Sequence, residues 1–390
     1  MNAAGSARIL LTGDVLVDRD DPLDAFTHIR GVLADGDVLF GNCEGVYATD
    51  VAMPPHVGAA VIVDPANMAG VASAGFTVMS CANNHIVDGG HAAMLETARH
   101  LREAGIAPAG IGANLAEARA PAIVEARGLR IAVLAAASVF PHGYEAREDW
   151  PGLAPVRGYN VYEDAEPYDF VPGALPTVRT FTDEQDLAAL EASIAAARRD
   201  ADVVLASFHW GDWTRPAHLT DHEIRVAHLA VDFGADIVAG HHHHLLRGIE
   251  WYRGRPIFYG LGHLIFDLQR TFEQRIPASL IGQVPAGRPD DYYGLAVRPG
   301  WPQLPMHPDA RMTMVAWADV GAGGVSEIGV IPCVLNADGQ AIPRPAASAE
   351  GRRVLEYLAW TCADQGLRVS IDPAAGREVG GVPGAVVSPA

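Results

Sequence analysis

Short apolar runs alternate with amphipathic stretches along most of this chain, and that alternation restricts it to a layered α/β architecture. ARILLTGD, DVLFGNCEG, FTVMSCANNH, RIAVLAAAS, DVVLASFHWGD and DIVAGHHHH read as strands. DPLDAFTHIRGVLADG, PANMAGVASAG, GHAAMLETARHLREAG, DEQDLAALEASIAAARRDA and HEIRVAHLAVDFGA read as helices between them. RPIFYGLGHLIFD adds one more strand, RMTMVAWADV and VSEIGVIPCVL an antiparallel pair, and VLEYLAWTCADQG a helix followed by a loose tail. Two stretches break the pattern, at about 141–180 and 270–308, and read as long functional loops. The expected organisation is one unit over 1–345 carrying both insertions, then a C-terminal helix and tail over 346–390.

Charge narrows the partners. Against 47 acidic residues stand only 28 Lys and Arg, a formal net charge of −19. Such a surface disfavours nucleic acid and anionic membranes, both of which need basic patches. It leaves a peptide or a small anionic substrate open, because a bound metal ion reverses the local field. No apolar run is long enough to span a bilayer, and the first residues lack the basic and apolar regions of a signal peptide, so a cytoplasmic location is expected. Four scattered cysteines form no CxxC pair and read as reduced thiols rather than as a disulfide framework or a thiolate zinc site.

Chemistry enters where the strands end. Gly13-Asp14, Asn42-Cys43-Glu44, Asn83-Asn84-His85, His209-Trp210-Gly211 and the run His241-His242-His243-His244 each follow an apolar strand directly. In an open α/β sheet the strand carboxyl ends converge on one rim, where ligands bind. Asp, Glu, Asn and His delivered there by five strands would assemble an oxygen- and nitrogen-rich site for one or two divalent ions. Mn, Fe, Zn, Mg and Ca are not distinguished by such a set. Each piece alone has a plainer reading: Gly-Asp is usually a turn, Asn-Asn-His a solvated loop, a single strand-end His a satisfied core residue. The joint pattern, in this order, is what points to metal.

With the motifs in the order GD…NxE…NNHxxDxG…HWG…GxHxH…GLGxxIFD, the stretch from Leu11 to Asp267 resembles the CapA-type, poly-γ-glutamate capsule branch of the calcineurin-like metallophosphatase superfamily. The resemblance implies a four-layer α/β/β/α sandwich with a two-metal centre on one edge. It implies metal ligation by Asp14, Glu44 (bridging), Asn84, His209, His242 and His244, with His85 in the place of the catalytic histidine. Asp88 would orient His85, and His241 and His243 would support the ligands. Three departures stand out. The usual proline between the last two histidines is His243, the usual GNF is Gly262-His263-Leu264, and the export or anchoring segment common in this branch is not seen.

Those departures turn the expected reaction away from capsule polymer synthesis. A small branch similar to CapA proteins, the lasso-peptide epimerases, inverts the C-terminal residue of a precursor peptide with an Asp and a His. Asp14 fits the first base, His307 the second, and Arg311 a partner for a substrate carboxylate. Metal-dependent hydrolysis, of a phosphoester or of a poly-γ-glutamate-type amide, is the alternative, with His85 protonating the leaving group. A non-catalytic capsule-synthesis accessory protein is the third. The plain readings are a solvated loop histidine at 307, a surface ion pair at Arg311 and a buried core imidazole at His263.

Overall fold

A computed structural model describes residues 5–54, 59–164, 176–275 and 292–390. The chain opens with β1 (Ser6–Leu16), β2 (Val38–Cys43), α1 (Met68–Ser73), β3 (Val78–Ser80), α2 (His91–Glu103) and β4 (Ala107–Ala109). β1 to β4 pair in parallel and in sequence order. β1 and β2 are almost wholly buried, as strands covered on both faces must be.

A second sheet follows, built from β5 (Ala122–Ala126), β6 (Leu129–Ala137), β7 (Val203–His209), β8 (Ile237–His241), β9 (Ile249–Tyr252) and β10 (Arg255–Phe258) in the spatial order β9-β10-β8-β7-β6-β5. The helices α3 (Glu184–Asp200) and α4 (Asp221–Phe233) link its parallel strands. Side chains sort by the two-residue period of the strand. Ile131, Val133, Val203 and Leu205 enter the core between the sheets, while Leu134, Val204, Ala206 and Phe208 meet Leu190, Ile194, Val226 and Ala230 of the helices. With α1 and α2 on the far side of the first sheet, the result is the expected four-layer α/β/β/α sandwich.

Three sequence expectations are corrected. RPIFYGLGHLIFD is two strands in different sheets. β10 lies beside β8, Gly260 to Gly262 carry the chain across, and β11 (His263–Phe266) pairs in parallel with the end of β1. Residues 21–36 form a 3₁₀ turn at Pro22–Asp24 and a four-residue helix at Arg30–Leu33 rather than one helix. There the carboxylates of Asp21 and Asp24 accept from Leu23 N–H and the Thr27 hydroxyl, competing with the helical ladder. The tail is not loose. After β12 (Met312–Gly321), β13 (Gly324–Leu335) and α5 (Ala349–Asp364), the strands β14 (Val369–Asp372) and β15 (Ala385–Pro389) extend the first sheet from the edge of β13.

The insertion at 141–180 contributes a hairpin, Gly158–Glu163 against Thr177–Thr182. Its residues 165–175, and residues 276–291 of the second insertion, lie outside the described residues. No described helix is long and apolar enough to cross a membrane.

One backbone approach positions everything at the rim. β1 pairs with β12 as far as Leu11 and with β11 from Asp14 onward. At the switch, a Cβ on Gly13 would lie 2.1 Å from Gly262 O, so only glycine fits. Gly13→Ala should therefore cost roughly 1–3 kcal/mol, read as a lowered denaturant midpoint of the metal-free protein. An unchanged midpoint would mean the strand ends separate without penalty.

Candidate metal centre

The carboxyl ends of β1, β2, β3, β7 and β8 meet at one rim. Asp14, Glu44, His209, His242 and His244 are all buried there, with Asn84 and His85 at the opening. One ligand atom from each of Asp14, Glu44 and His209 falls in a cluster whose members lie within 4.8 Å of one another. His244 Nδ1 lies 3.1 Å from Asp14 Oδ2, and its Nε2 lies 3.4 Å from Glu44 Oε1. His209 Nε2 sits 2.6 Å from Asn84 Oδ1 and 3.2 Å from His242 Nδ1. Six side chains expected as ligands are thus brought together.

The four consecutive histidines diverge. His241 ends β8 and turns between the sheets, with Nε2 3.2 Å from Thr12 O and its ring edge-on to Phe40. His243 points the other way and meets Glu223 of α4 at 2.8 Å. His242 and His244 face the rim because the backbone there is left-handed, with φ of 96° and 55°. Such conformations cost a non-glycine residue of order 1–3 kcal/mol and concentrate at functional sites.

Electrostatics favours a cation. Burial alone would raise the Asp14 carboxyl, but the imidazoles of His244, His241 and His209 outweigh it and hold Asp14 well below the usual range. Burial, then the charge of Asp14, pushes Glu44 well above its usual range. Burial, then repulsion from neighbouring imidazoles (His242 on His209, His244 and His243 on His242), holds His209 and His242 well below theirs, which favours the neutral ring with a lone pair for a metal. Asp14 Oδ2 and Glu44 Oε1 are buried acceptors to which the neighbouring His244 nitrogens, 3.1 and 3.4 Å away, make no well-aligned hydrogen bond. Orphaned carboxylate oxygens facing neutral imidazoles, with no thiolate among them, fit a divalent ion with oxygen and nitrogen ligands.

Around this cluster the structure adds residues that sequence reasoning passes over. The Asn42 amide donates to Asp14 Oδ1 at 2.9 Å and to Glu44 Oε2 at 3.0 Å, and Asn83 in turn donates to Asn42. Asn42 is visible in the NxE motif as part of a polar strand end; nothing there marks it as the tie between the two carboxylates. His85 Nδ1 donates to Asp88 at 2.8 Å, and Asp88 also accepts from Tyr144 O–H and Val61 N–H. That arrangement fixes the His85 ring and keeps the proton on Nδ1, leaving Nε2 for the opening. Tyr144 comes from the first insertion and carries no signal in the sequence.

His263 is buried beside His244, ring centroids 6.0 Å apart, and stacks on Phe266. Burial and the neighbouring His244 push it down to about 3. His307 and Arg311 are placed differently from the ligands. His307 stacks on Tyr293 at 3.8 Å and its Nδ1 accepts from Asp309 N–H. The Arg311 guanidinium lies 3.9 Å over the Trp301 ring.

The buried imidazoles give the protein a defined acid limit. For His209, His242, His222 (held down to about 4) and His263 (about 3), the unfolded chain binds protons before the folded one does. Stability is therefore full above the unfolded histidine value near ~6.5 and falls as pH drops from there toward ~4. Thermal unfolding of metal-free protein should show Tm declining over that window. A flat Tm would mean that these histidines are solvated.

The profile of the family described as bacterial capsule synthesis protein PGA_cap matches residues 8–268. An uncharacterised protein of Sinorhizobium fredii is 30% identical over 318 residues, covering 69% of this chain and 68% of that protein. The PGA biosynthesis protein CapA of Bacillus subtilis is 31% identical over 193 residues, covering 49% of this chain but only 43% of its own length. A crystal structure of a hypothetical protein from Thermus thermophilus aligns over 83% of this chain and 98% of that one, with 13% identity and a TM-score of 0.45. The chain belongs to the bacterial capsule synthesis PGA_cap family.

Proposed function

We propose that this protein is a divalent-metal-dependent enzyme that acts on a peptide by taking a proton from, and returning it to, a Cα atom. The observation that carries the reading is the cavity of about 460 Å³ opening on Asn84, His85, His242 and His244. Its other wall is apolar and aromatic, with Trp213, Phe266, Tyr292, Tyr293, Leu295 and Met306, and no described lining residue is Lys or Arg. Such an apolar space suits an amino-acid side chain.

Asp14, Glu44, Asn84, His209, His242 and His244 would hold the metal. When bound, the metal supplies Lewis acidity that makes a Cα–H beside a coordinated carbonyl or carboxylate more acidic. Asp14 is the group proposed to take the proton. His307 is proposed to return one from the side of Tyr293: its Nδ1 accepts from Asp309 N–H, which leaves Nε2 as the nitrogen that can donate. The reading places the reaction in the cytoplasm, in keeping with four buried free thiols. The family's capsule-related members support a peptide-like substrate.

A second reading, hydrolysis of an amide or phosphoester, is favoured by one feature: His85, oriented by Asp88, lines the same cavity and is suited to protonate a leaving group. Incubation of Mn²⁺-loaded protein with peptides ending in aromatic or aliphatic residues, in D2O, separates the two. Deuterium should appear at one Cα without cleavage, and His307→Ala should reduce incorporation at least about 100-fold, within the range a positioned acid–base group contributes. Peptide cleavage, or release of phosphate from an aryl phosphate with no exchange at Cα, would overturn epimerisation in favour of hydrolysis.

A further inference from the structure

We infer that the buried pair His243–Glu223 is a positioning device for the metal ligands His242 and His244, which flank it in the chain. The inference rests on the metal-centre reading given above. His243 stands between His242 and His244, the two rim histidines held at φ of 96° and 55°. Nothing in their own backbone preference keeps them there. The side chain of His243, between them, is tied to the outer helix layer.

The packing supplies the restraint. The side chains of His243 and Glu223 are both 0% exposed, and their Nε2 and Oε1 lie 2.8 Å apart. A carboxylate only accepts, so the hydrogen is on His243 Nε2. Glu223 is itself immobilised in the first turn of α4, where it forms a capping box with Thr220, accepting from both its backbone N–H and its hydroxyl. The anchor of the ligand loop is therefore the start of a thirteen-residue helix on the outer layer.

Two motif glycines make room for the pair. A Cβ on Gly211, the glycine of HWG, would lie 2.2 Å from His243 Nε2 and 2.6 Å from Glu223 Oε1. A Cβ on Gly260 would lie 2.9 Å from His243 Nδ1 and 2.6 Å from Arg247 Cγ. Arg247 closes the pocket, fully buried and donating to Asp212 O at 2.8 Å. Three chain segments thus leave space for one hydrogen bond whose position controls where His242 and His244 point.

Titration of the apo protein with MnCl2, followed by calorimetry, tests the inference, with Tm in EDTA as the measure of folding. Glu223→Ala should weaken Mn²⁺ binding about 10- to 100-fold, the usual range for groups that orient metal ligands. Glu223→Gln, which can still accept from Nε2, should stay within about 3-fold of wild type. A purely structural role would lower Tm in both variants while leaving affinity unsplit between them. Should Glu223→Ala fail to fold, His243→Gln and His243→Leu decide: the Gln amide can still donate to Glu223 and should stay within about 3-fold of wild type, whereas Leu should lose affinity about 10- to 100-fold. A folded Glu223→Ala protein with wild-type affinity, or equal losses in the Ala and Gln variants, overturns the inference. So do equal affinities in His243→Gln and His243→Leu. Wild-type protein that binds no Mn²⁺ would instead count against the metal centre itself.

Discussion

The close approach of two backbones at Gly13 and Gly262 is the contact on which the rest of the molecule depends. It lets β1 exchange β12 for β11 without a gap, with Asp14 N–H donating to Gly262 O at 3.0 Å. The second sheet uses the same means. A Cβ on Gly240 would lie 2.0 Å from Tyr259 O and 2.5 Å from Trp210 Nε1. At these two strand ends a bare residue sits next to, or close to, a ligand, and neighbouring backbones close in. Two sheets that pack about 10 Å apart can then bring short side chains such as Asp14 and His209 into one cluster.

That closeness creates an electrostatic problem which defines the site. Two carboxylates and several imidazoles are withdrawn from water in a protein already carrying −19. Buried like charges are tolerated only when paired or when one gives up its charge. Asn42 offsets part of the cost by donating to both Asp14 and Glu44, and His209 and His242 stay neutral. The remaining imbalance is what makes this cluster a candidate cation site. The same imbalance explains why the rim is wrapped in aromatic and aliphatic walls: a low-dielectric surround strengthens each ion–ligand attraction.

Much of this is legible in the sequence because strand ends write their function in adjacent residues. The alternation of runs identifies both sheets, and Asp14, Glu44, Asn84, His209, His242 and His244 each sit within a few residues of a strand. What the sequence does not carry is direction. Four consecutive histidines differ in destination because φ changes sign along them, and the partners of His241 and His243, Thr12 and Glu223, lie hundreds and tens of residues away. GLGxxIFD looks like one strand because the crossover between sheets takes only Gly260 to Gly262. The last strands read as a tail because VSID and AVVSP are short and gain their stability from β13, not from their own pattern. His307 and Arg311 stand out by loop spacing, which says nothing about which side of Tyr293 or Trp301 a side chain takes.

The position of Asn84 shows how one scaffold can serve different substrates. It borders the aromatic cavity, a second cavity walled by Val139, Phe140 and Pro141, and a larger polar groove reaching Arg179 and Arg215 on the first insertion and the loop after β7. All three spaces therefore meet at the metal-ligand cluster. Their far walls come from loops, while the cluster comes from strand ends held by glycine contacts. Substitutions in the loops can reshape what is bound at little cost to the fold, because loop side chains carry few of the buried contacts. Substitutions at the strand ends cannot, since each ligand there is also part of the packing between sheets. Specificity and chemistry are thus separated in the architecture, with the chemistry confined to the residues that the fold itself cannot release.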